Sequence, residues 1–322
     1  MIVTHSGCDL DAIAAAAALY FSLSKRSQVK ILVPDHIAKP AKAFASKMHI
    51  PYSMNLGSNF SSFDCLLIVD FNSLEMAGSA AKAIRQFNGK IFLIDHHRKA
   101  NERIGKNVAA FIDQDAVASC ELVFRLLQRS GSPLGRREAT CIAAGIVADS
   151  AYFLTANSST FSIMAEALEK SGKSFSELLS LFSIPKSFDQ KIAALKAAKR
   201  SRIFRLGKYV VATSDVGAFE ADAASTLVKI GADIAFVGDS EEGKLRVSGR
   251  ASQAVLKSAR FDLARHVFQL LPKQFPGSGG GHAGAAGFNG QGNDINAALM
   301  QCVSLTKQFF RGKKGFFFKE YT

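Results

Sequence analysis

The sequence lacks the features that mark disulfide frameworks, thiolate metal sites and membrane spans. Its five cysteines are scattered, form no C-x-x-C pair and lie mostly among apolar or small residues, which predicts reduced core thiols. The longest apolar run, residues 12–21, has about ten residues, whereas a bilayer span needs roughly 20. No basic leader precedes an apolar stretch at the start. We therefore expect a soluble cytoplasmic protein that makes no use of a membrane.

Acidic residues are few relative to basic ones. The 322 residues include 27 Asp and Glu against 40 Lys and Arg, which gives a formal net charge of +13. Such a surplus attracts polyanions, although a basic surface kept for solubility fits the charge equally well. Low-complexity tracts are also absent, so the whole chain should fold. Its length exceeds the size at which one core stops growing, which favours two domains.

Short apolar runs alternate with helical patterns in the first half of the chain. Residues 2–4, 29–33, 65–69 and 91–94 have the pattern of strands, and residues 12–23, 77–87 and 119–127 that of helices. Alternating strands and helices predict βαβ units around a parallel sheet. The first half is therefore expected to be an α/β domain.

The second half has a separate set of elements. After a mainly helical stretch over residues 140–181, we expect helices at 189–200, 221–230, 261–271 and 294–310, and strands at 202–206, 209–213, 234–237 and 245–248. Residues 277–287 are rich in glycine. These patterns predict one α/β domain over residues 1–184, a helical linker over 185–200 and a smaller α/β domain over 201–322.

Acidic residues and histidines recur where predicted strands of the first half end. His5 follows the first strand, Asp70 follows the strand 65–69, and Asp95, His96 and His97 follow the strand 91–94. The carboxyl ends of parallel strands meet at one edge of a sheet, where open α/β folds place their sites. These side chains are therefore expected to converge.

Three further carboxylates are expected at the same edge. Asp9 and Asp11 lie at the entry to an alanine-rich helix, and Asp149 lies near the end of a helix of small residues. Each alone also fits a helix cap or a surface charge. Together, imidazoles and carboxylates without thiolates suit Mn²⁺, and so many carboxylates imply two ions. We expect two Mn²⁺, with Mg²⁺ or Co²⁺ as substitutes.

Four segments resemble the motifs of the DHH phosphoesterase superfamily in order and spacing: THSGCDLDA at 4–12, VD at 69–70, DHH at 95–97 and GIVADS at 145–150. That superfamily includes RecJ-type exonucleases, nanoRNases, cyclic-dinucleotide phosphodiesterases and class II inorganic pyrophosphatases. The run GGGHAGAAG at 279–287 resembles the GGGH signature of the DHH-associated C-terminal domain, and VSGRAS at 247–252 resembles its Ser-x-Arg element. This second match disfavours the pyrophosphatase branch. Gly7-Cys8 and Gly249 depart from the usual residues without removing a ligand.

The resemblance implies that residues 1–184 form the catalytic, metal-binding domain, that residues 201–322 form the substrate-binding domain and that the active site lies in the cleft between them. It also implies a role for each matching residue. One metal would be held by His5, Asp9 and Asp70, and the other by Asp11, Asp70, His96 and Asp149, with Asp70 as the bridge. Asp95 would orient an imidazole, and His97 would face the scissile phosphate as a charge stabiliser or proton donor. Substrate would be contacted by Ser248, Arg250, Gly279, Gly280, Gly281 and His282.

The expected activity is hydrolysis of short oligonucleotides or linear dinucleotides to mononucleotides, by attack of a hydroxide generated between two metal ions. The partner would be short single-stranded RNA or DNA, or a dinucleotide. One alternative is a RecJ-like single-strand-specific DNA exonuclease, which the basic charge favours; another is a non-catalytic nucleic-acid-binding subunit. The Phe triplet at 316–318 fits core packing or a homodimer contact better than a base-stacking platform.

Overall fold

A computed structural model of the protein describes residues 1–54, 60–98, 104–131, 133–313 and 315–321. The chain divides into two compact units, Met1–Ile184 and Pro185–Thr322. Each unit combines a sheet with helices, which confirms the expected pair of α/β domains with a parallel sheet in the larger, N-terminal one. Among the described residues, no helix is both long and apolar enough to cross a bilayer.

The first unit alternates strands and helices, as expected. Its strands, within the described residues, are β1 Ile2–Val3, β2 Gly7–Cys8, β3 Ile31–Leu32, β4 His36–Ile37, β5 Cys65–Val69, β6 Lys90–Asp95 and β7 Val108–Ile112. Its helices are α1 Leu10–Leu23, α2 Lys39–Lys47, α3 Ala81–Gln86, α4 Ser119–Arg129, α5 Arg136–Asp149, α6 Ser158–Ser171 and α7 Phe175–Phe182. A 3₁₀ turn, Gly78–Ala80, precedes α3.

The main sheet of the first unit is parallel, in the order β3-β1-β5-β6-β7. From β1 the chain passes to β3 on one side, and it then returns to β5 on the other side of β1. The direction of winding therefore reverses between β1 and β5. Ligands of open α/β sheets bind outside the carboxyl ends of the strands at such a reversal.

Helix α1 begins at this edge of the sheet and packs closely against α5. Its alanines at 14–18 are fully buried, and their small side chains let neighbouring helices approach. On α5, a Cβ at Gly145 would lie 2.2 Å from the Cys120 Sγ and 2.5 Å from the Asp11 Oδ1. Only glycine therefore fits at position 145 without displacing α4 or the Asp11 carboxylate.

The second unit is built around a mixed seven-stranded sheet in the order β12-β13-β11-β10-β9-β8-β14, in which only β9 and β10 pair in parallel. Its strands are β8 Arg202–Leu206, β9 Tyr209–Asp215, β10 Ile234–Glu241, β11 Lys244–Ala251, β12 Gly277–His282, β13 Ala285–Gln291 and β14 Phe318–Tyr321. Its α-helices, within the described residues, are α8 Phe188–Lys199, α9 Glu220–Lys229, α10 Gln253–Ala259 and α11 Ile295–Phe310.

One expectation about the second unit needs correction. Residues 261–271 form a π-helical turn, Ala264–Phe268, followed by a 3₁₀ turn over Leu271–Lys273, instead of one α-helix, and Pro272 lies in the second turn. The glycine-rich stretch forms the hairpin of β12 and β13. Strands β7 and β14 and helix α2 were not expected from the sequence.

Candidate metal centre

Asp70 is the central residue of the site. It follows β5 at the reversal of winding and is 2% exposed. Its Oδ2 lies 3.6 Å from the His5 Nε2, and its Oδ1 lies 3.4 Å from the His96 Nε2. The two oxygens therefore face two different imidazoles, as a carboxylate that bridges two cations must.

The backbone of Asp70 is strained. Its φ of +69° lies in the left-handed region, where a residue with a Cβ costs about 1–2 kcal/mol. Aspartate tolerates this region better than most residues. Strain of this kind is found at functional sites, where the surrounding structure enforces it. Here the left-handed turn accompanies a carboxylate that is aimed into the cluster of donors.

The first group of donors consists of His5, Asp9 and Asp70. Asp9 is the N-cap of α1, and its Oδ1 accepts a hydrogen bond of 3.1 Å from the Ala12 N–H. The same oxygen lies 3.8 Å from the His5 Nε2. One atom from each of the three side chains lies within 4.8 Å of the others. The N-cap thus fixes a carboxylate beside an imidazole, at donor separations that would allow both to contact one cation.

The second group consists of Asp11, His96 and Asp149. The Asp11 carboxylate accepts hydrogen bonds from the backbone N–H groups of Ser119, at 2.6 Å, and Cys120, at 3.1 Å, in the first turn of α4. Such orphan donors at a helix N-terminus stabilise a buried negative charge. Asp149, at the end of α5, places its Oδ2 3.1 Å from the His96 Nε2. Elements far apart in sequence therefore converge on His96.

The ring of His96 is oriented for a ligand. Its Nδ1 lies 3.3 Å from the carbonyl oxygen of Ala116, to which an Nδ1–H donates. Its Nε2 is buried and finds no well-aligned hydrogen-bond partner among the residues that the structure describes. A metal-ligating histidine typically donates its other N–H to a carbonyl in this way, which leaves the second nitrogen free to coordinate. The unsatisfied Nε2 is the clearest sign that a cation fits here.

The electrostatics of the site also favour cations. Burial opposes a charge on His5, but the adjacent carboxylates of Asp70 and Asp9 outweigh it and raise its pKa to about 9. Burial likewise opposes a charge on His96, yet Asp149 and Asp70 raise its pKa to about 11. Without metal, protons therefore supply part of the positive charge that the carboxylates demand.

The pKa of the Asp11 carboxyl reflects the same excess of negative charge in the site. Its burial, followed by the nearby charges of Asp70 and Asp149, raises its pKa well above the ordinary value. Together with Asp9, the site contains four carboxylates around two imidazoles. Two divalent ions would balance these four negative charges, and oxygen and imidazole donors without thiolate suit Mn²⁺ and Mg²⁺. The residues thus fit a two-metal centre.

His97 occupies a different position from His96. Its Nδ1 lies 2.8 Å from the Asp95 Oδ1, and its side chain is nearly half exposed. Asp95 is fully buried and also accepts a hydrogen bond from the Asn72 side chain. Hydrogen bonding to Asp95 raises the pKa of His97. His97 also lies within reach of the Asp70 and His96 donors, but its Nδ1 is engaged by Asp95.

Two residues that position the site were not found from the sequence. The Ser119 hydroxyl donates to the Asp70 Oδ1 at 2.8 Å, while its backbone N–H binds Asp11. Asn72 holds Asp95 and also donates to the Arg98 carbonyl at 3.1 Å. For Ser119 a signal existed, because a serine at the start of a helical pattern often binds nearby acceptors. For Asn72 we see no comparable signal.

In the second unit, four of the six residues proposed to contact substrate share one face of the sheet. Arg250 on β11 and His282 on β12 both pair with Ala285 of the intervening strand β13. Ser248 and Gly280 flank Gly287 in the next row of the same face, because side chains two residues apart point the same way. Small residues thus lie between an arginine and a histidine. We call Ser248, Arg250, Gly280 and His282 the polar face.

The three glycines at 279–281 have different environments. A Cβ at Gly279 would lie 2.0 Å from the backbone oxygen of Phe268, in the π-helical turn beneath the sheet. Gly281 has a φ of +134°, which a side chain would strain. A Cβ at Gly280 would meet no atom of the described chain within 4 Å. Gly280 alone is therefore open on the polar face.

Models of two protein families match the chain, one in each unit. A model of the DHH family, N-terminal domain, matches residues 1–146, and a model of the DHHA1 domain matches residues 208–308. An uncharacterized protein of Methanocaldococcus jannaschii is 26% identical over 296 residues, which cover 90% of this chain and 86% of that protein.

Similarity to solved structures bears on the fold alone. The crystal structure of an exopolyphosphatase-related protein from Bacteroides fragilis has a TM-score of 0.61 and 19% identity, covering 96% of this chain and 90% of that one. RecJ of Thermus thermophilus in complex with Mn²⁺ has a TM-score of 0.40 and 14% identity, covering 96% of this chain and 52% of RecJ. The latter likeness is too weak to carry an argument.

Proposed function

We propose that the chain is a Mn²⁺-dependent phosphodiesterase of the DHH family that hydrolyses short oligonucleotides or linear dinucleotides to mononucleotides. The matches to the DHH N-terminal domain over residues 1–146 and to the DHHA1 domain over residues 208–308 support this proposal. The observation that carries the proposal is the pair of donor groups joined by Asp70, whose two oxygens face different imidazoles. When bound, two divalent ions supply an activated water and neutralise charge on the phosphate.

The side chains of the first unit have separate tasks in this proposal. Asp70 presents one oxygen to each of the two donor groups. The hydrogen bonds from the backbone of α4 fix the orientation of the Asp11 carboxylate. His97 is held through its Nδ1 by Asp95, so its Nε2 is available to the substrate. In this proposal the protonated form of His97 donates its Nε2 proton to the leaving oxygen, and the hydrogen bond to Asp95 favours that form because it raises the pKa of His97.

The polar face of the second unit supports phosphate recognition. Arg250 donates one N–H to the Gly249 carbonyl at 2.9 Å, and its guanidinium carries further donors whose planar arrangement suits a phosphate. Exposed His282 lies across Ala285 on the same face. The open position at Gly280 leaves room for a sugar or a base. We propose that these residues hold the phosphate and terminal nucleotide of a short substrate.

A substrate panel tests this function. The protein is incubated with Mn²⁺ or Mg²⁺ and with pNpN dinucleotides, cyclic dinucleotides, pAp, RNAs of graded length and single-stranded DNA. We expect the fastest turnover for dinucleotides and short RNAs with Mn²⁺. Faster hydrolysis of long single-stranded DNA would favour a RecJ-like exonuclease instead. Tight binding of DNA without turnover of any phosphodiester would favour a non-catalytic subunit.

The assignment of His282 to substrate has its own test. We expect His282→Ala to raise the KM for the best substrate by roughly tenfold, the effect of losing one good hydrogen bond to a charged group. The bound metal, measured by elemental analysis, should be unchanged. Loss of metal in this variant would show that His282 is a ligand.

A further inference from the structure

A surface far along the sheet from the polar face combines exposed aromatic and basic side chains. It consists of Ile203 and Arg205 of β8, and of Phe317, Lys319 and Tyr321 at the end of the chain, and we call these five residues the basic-aromatic strip. We propose that this strip binds the bases and phosphates of single-stranded nucleic acid. The ligand class rests on the proposed function, whereas the strip shares no residue with the metal centre or the polar face.

The register of the two strands places the strip on one face. Tyr321 pairs with Ile203, and Lys319 pairs with Arg205. Phe317 precedes Lys319 by two residues and therefore points the same way. Phe317 is 41% exposed, Tyr321 43% and Ile203 41%, so neighbouring large side chains of the strip face solvent together.

The opposite face of the same two strands is firmly packed. Phe318 and Phe204 stack with ring centroids 6.0 Å apart; Phe204 belongs to the hydrophobic core of the second unit, and Phe318 packs against that core. Phe316 also packs against that core. The alternation of the strand thus fixes which rings are buried and which are exposed, so the exposure of Phe317 and Tyr321 follows from the pairing of β14 with β8.

Each exposed ring has a cation beside it. The Arg205 guanidinium carbon lies 4.7 Å from the centre of the Phe317 ring, and the Lys319 Nζ lies 4.9 Å from the centre of the Tyr321 ring. Arg205 donates its Nε–H to the Gly207 carbonyl at 2.8 Å, so the terminal nitrogens carry the remaining donors. Rings that stack on bases beside cations that bind phosphates are the usual elements of single-strand binding.

The charge of the strip favours a nucleic acid over a second copy of the protein as its ligand. None of the five residues of the strip is acidic, so two copies that met through this face would oppose like charges. Glu320 lies on the other face, where its carboxylate is 2.7 Å from the Arg202 Nη2. A polyanion complements Arg205 and Lys319 without such repulsion.

The strip shares its sheet face with the polar face at the opposite end. A single row of paired residues runs from Tyr321 through Ile203, Ala212, Ala235, Arg250 and Ala285 to His282. Between the ends, alanines of α8 and α9 cover the sheet. Six strand spacings separate β12 from β14, which is about 29 Å. A dinucleotide cannot span that distance, so the strip should affect only longer strands.

Binding to a labelled single strand of about twelve nucleotides, a length within the usual site sizes, tests the proposal. Fluorescence anisotropy is measured on the full chain in an Asp70→Asn background without added metal, so that no cleavage occurs. We expect Phe317→Ala and Tyr321→Ala each to weaken binding by roughly tenfold, the typical loss for one stacked base. Tyr321→Phe keeps the ring and should bind like the parent. Unchanged affinity in both alanine variants would overturn the proposal.

Salt dependence tests the cations separately and does not depend on the rings. The double variant Arg205→Gln, Lys319→Gln should reduce the slope of log K against log salt by about 1.4, since each single-strand phosphate contact contributes about 0.7. Lys106→Gln, at an exposed lysine of the first unit, is the matched control. An unchanged slope in the double variant would contradict the proposal.

Turnover of dinucleotides distinguishes this proposal from the proposed function. In the parent sequence with Mn²⁺, all variants of the strip should hydrolyse pNpN at the parent rate, while their affinity for the longer strand falls. If the parent hydrolyses no phosphodiester but the variants still lose affinity, the catalytic proposal fails and the strip stands. If turnover is normal and affinity does not change, the strip fails and the catalytic proposal stands.

Discussion

The metal centre and the polar face differ in how far their residues are buried and held by hydrogen bonds. In the first unit, Asp11 and Asp70 are buried, and each is held by hydrogen bonds from α4. In the second unit, His282 and Gly280 are exposed, and Gly280 has open space around it. Small cations need donors fixed in advance, because several negative charges must be kept close together in a buried site. The proposed substrate, a dinucleotide or short oligonucleotide, needs room and exchangeable contacts instead.

The difference also shows how glycine is used in the two units. Gly145 brings α5 close to Asp11, so its lack of a side chain serves packing around the metal donors. Gly280 lacks any neighbour within 4 Å in the described chain, so its lack of a side chain serves an open surface. Residue type alone therefore does not reveal which role a glycine has.

The largest effect is expected from Asp70→Asn, which sharpens the comparison by removing one buried charge. Asparagine retains the size and tolerates the left-handed backbone. It should lower kcat by about 10³-fold or more, because two cations lose part of a shared ligand worth several kcal/mol. Activity at saturating Mn²⁺ and elemental analysis are the measurements. Asp215→Asn, which removes an exposed ion pair with Arg200, is the control and should remain active.

Ser119→Ala should have the next largest effect. It tests how far Mn²⁺ binding depends on a residue that orients Asp70 without being a donor itself. The change removes the hydroxyl that donates to Asp70 but leaves the backbone N–H that binds Asp11. We expect a loss of Mn²⁺ affinity of about 10–100-fold, as for other groups that orient ligands. Titration calorimetry measures it. Ser258→Ala removes a hydroxyl contact with Tyr209 in the second unit and should bind Mn²⁺ normally; equal affinity in the two variants would contradict a role for Ser119.

The convergence of the candidate donors could be predicted from the sequence because their placement follows from topology. His5, Asp70 and His96 each follow a parallel strand, and parallel strands bring their ends together whatever the packing. The hydrogen bonds of Asp11 to α4 depend on helix docking and join residues that are 108 and 109 positions apart in the sequence. No local pattern encodes such a contact. Whether each donor binds metal stays a prediction.

The second unit was predicted less completely, for a different reason. Glycine has low strand propensity, so the hairpin of β12 and β13 has the composition of a loop. It is a strand because Gly279 packs against the Phe268 backbone and because β13 pairs with β11. Core packing or a homodimer contact was the preferred interpretation of the Phe triplet, but the pairing of β14 with β8 decides which of its rings are buried and which are exposed.

Two adjacent glycines offer a test of the polar face with a smaller effect. Gly279→Ala should lower the free energy of unfolding by about 1–3 kcal/mol, because the new Cβ overlaps the Phe268 backbone. Gly280→Ala should change it by less than about 0.5 kcal/mol but raise the KM for dinucleotides. Denaturant unfolding and steady-state kinetics measure the two quantities. Equal destabilisation by both substitutions would show that Gly280 is not open.

The last prediction concerns the protons of the metal centre and needs no mutation. In the metal-free protein, His5 has a pKa of about 9 and His96 of about 11, so both imidazoles are protonated at neutral pH. A nitrogen that binds metal must first lose its proton, so Mn²⁺ binding should release protons and strengthen by about tenfold per pH unit for each proton released. Calorimetry in buffers of different ionisation enthalpy measures this release.

The sign of the pH effect on stability follows from the same shifts. Since the folded-state pKa values of His5 and His96 are raised above the ordinary 6.5, their contribution to the stability of the metal-free protein is fully present below pH 6.5. It should be lost as the pH rises through about 9 and then about 11. Bound Mn²⁺ replaces those protons as the source of positive charge, so the loaded protein should not lose this contribution over that range. An enthalpy of Mn²⁺ binding that is the same in every buffer would show that the imidazoles carry no protons to displace, and the excess of negative charge inferred for the metal centre would then be wrong.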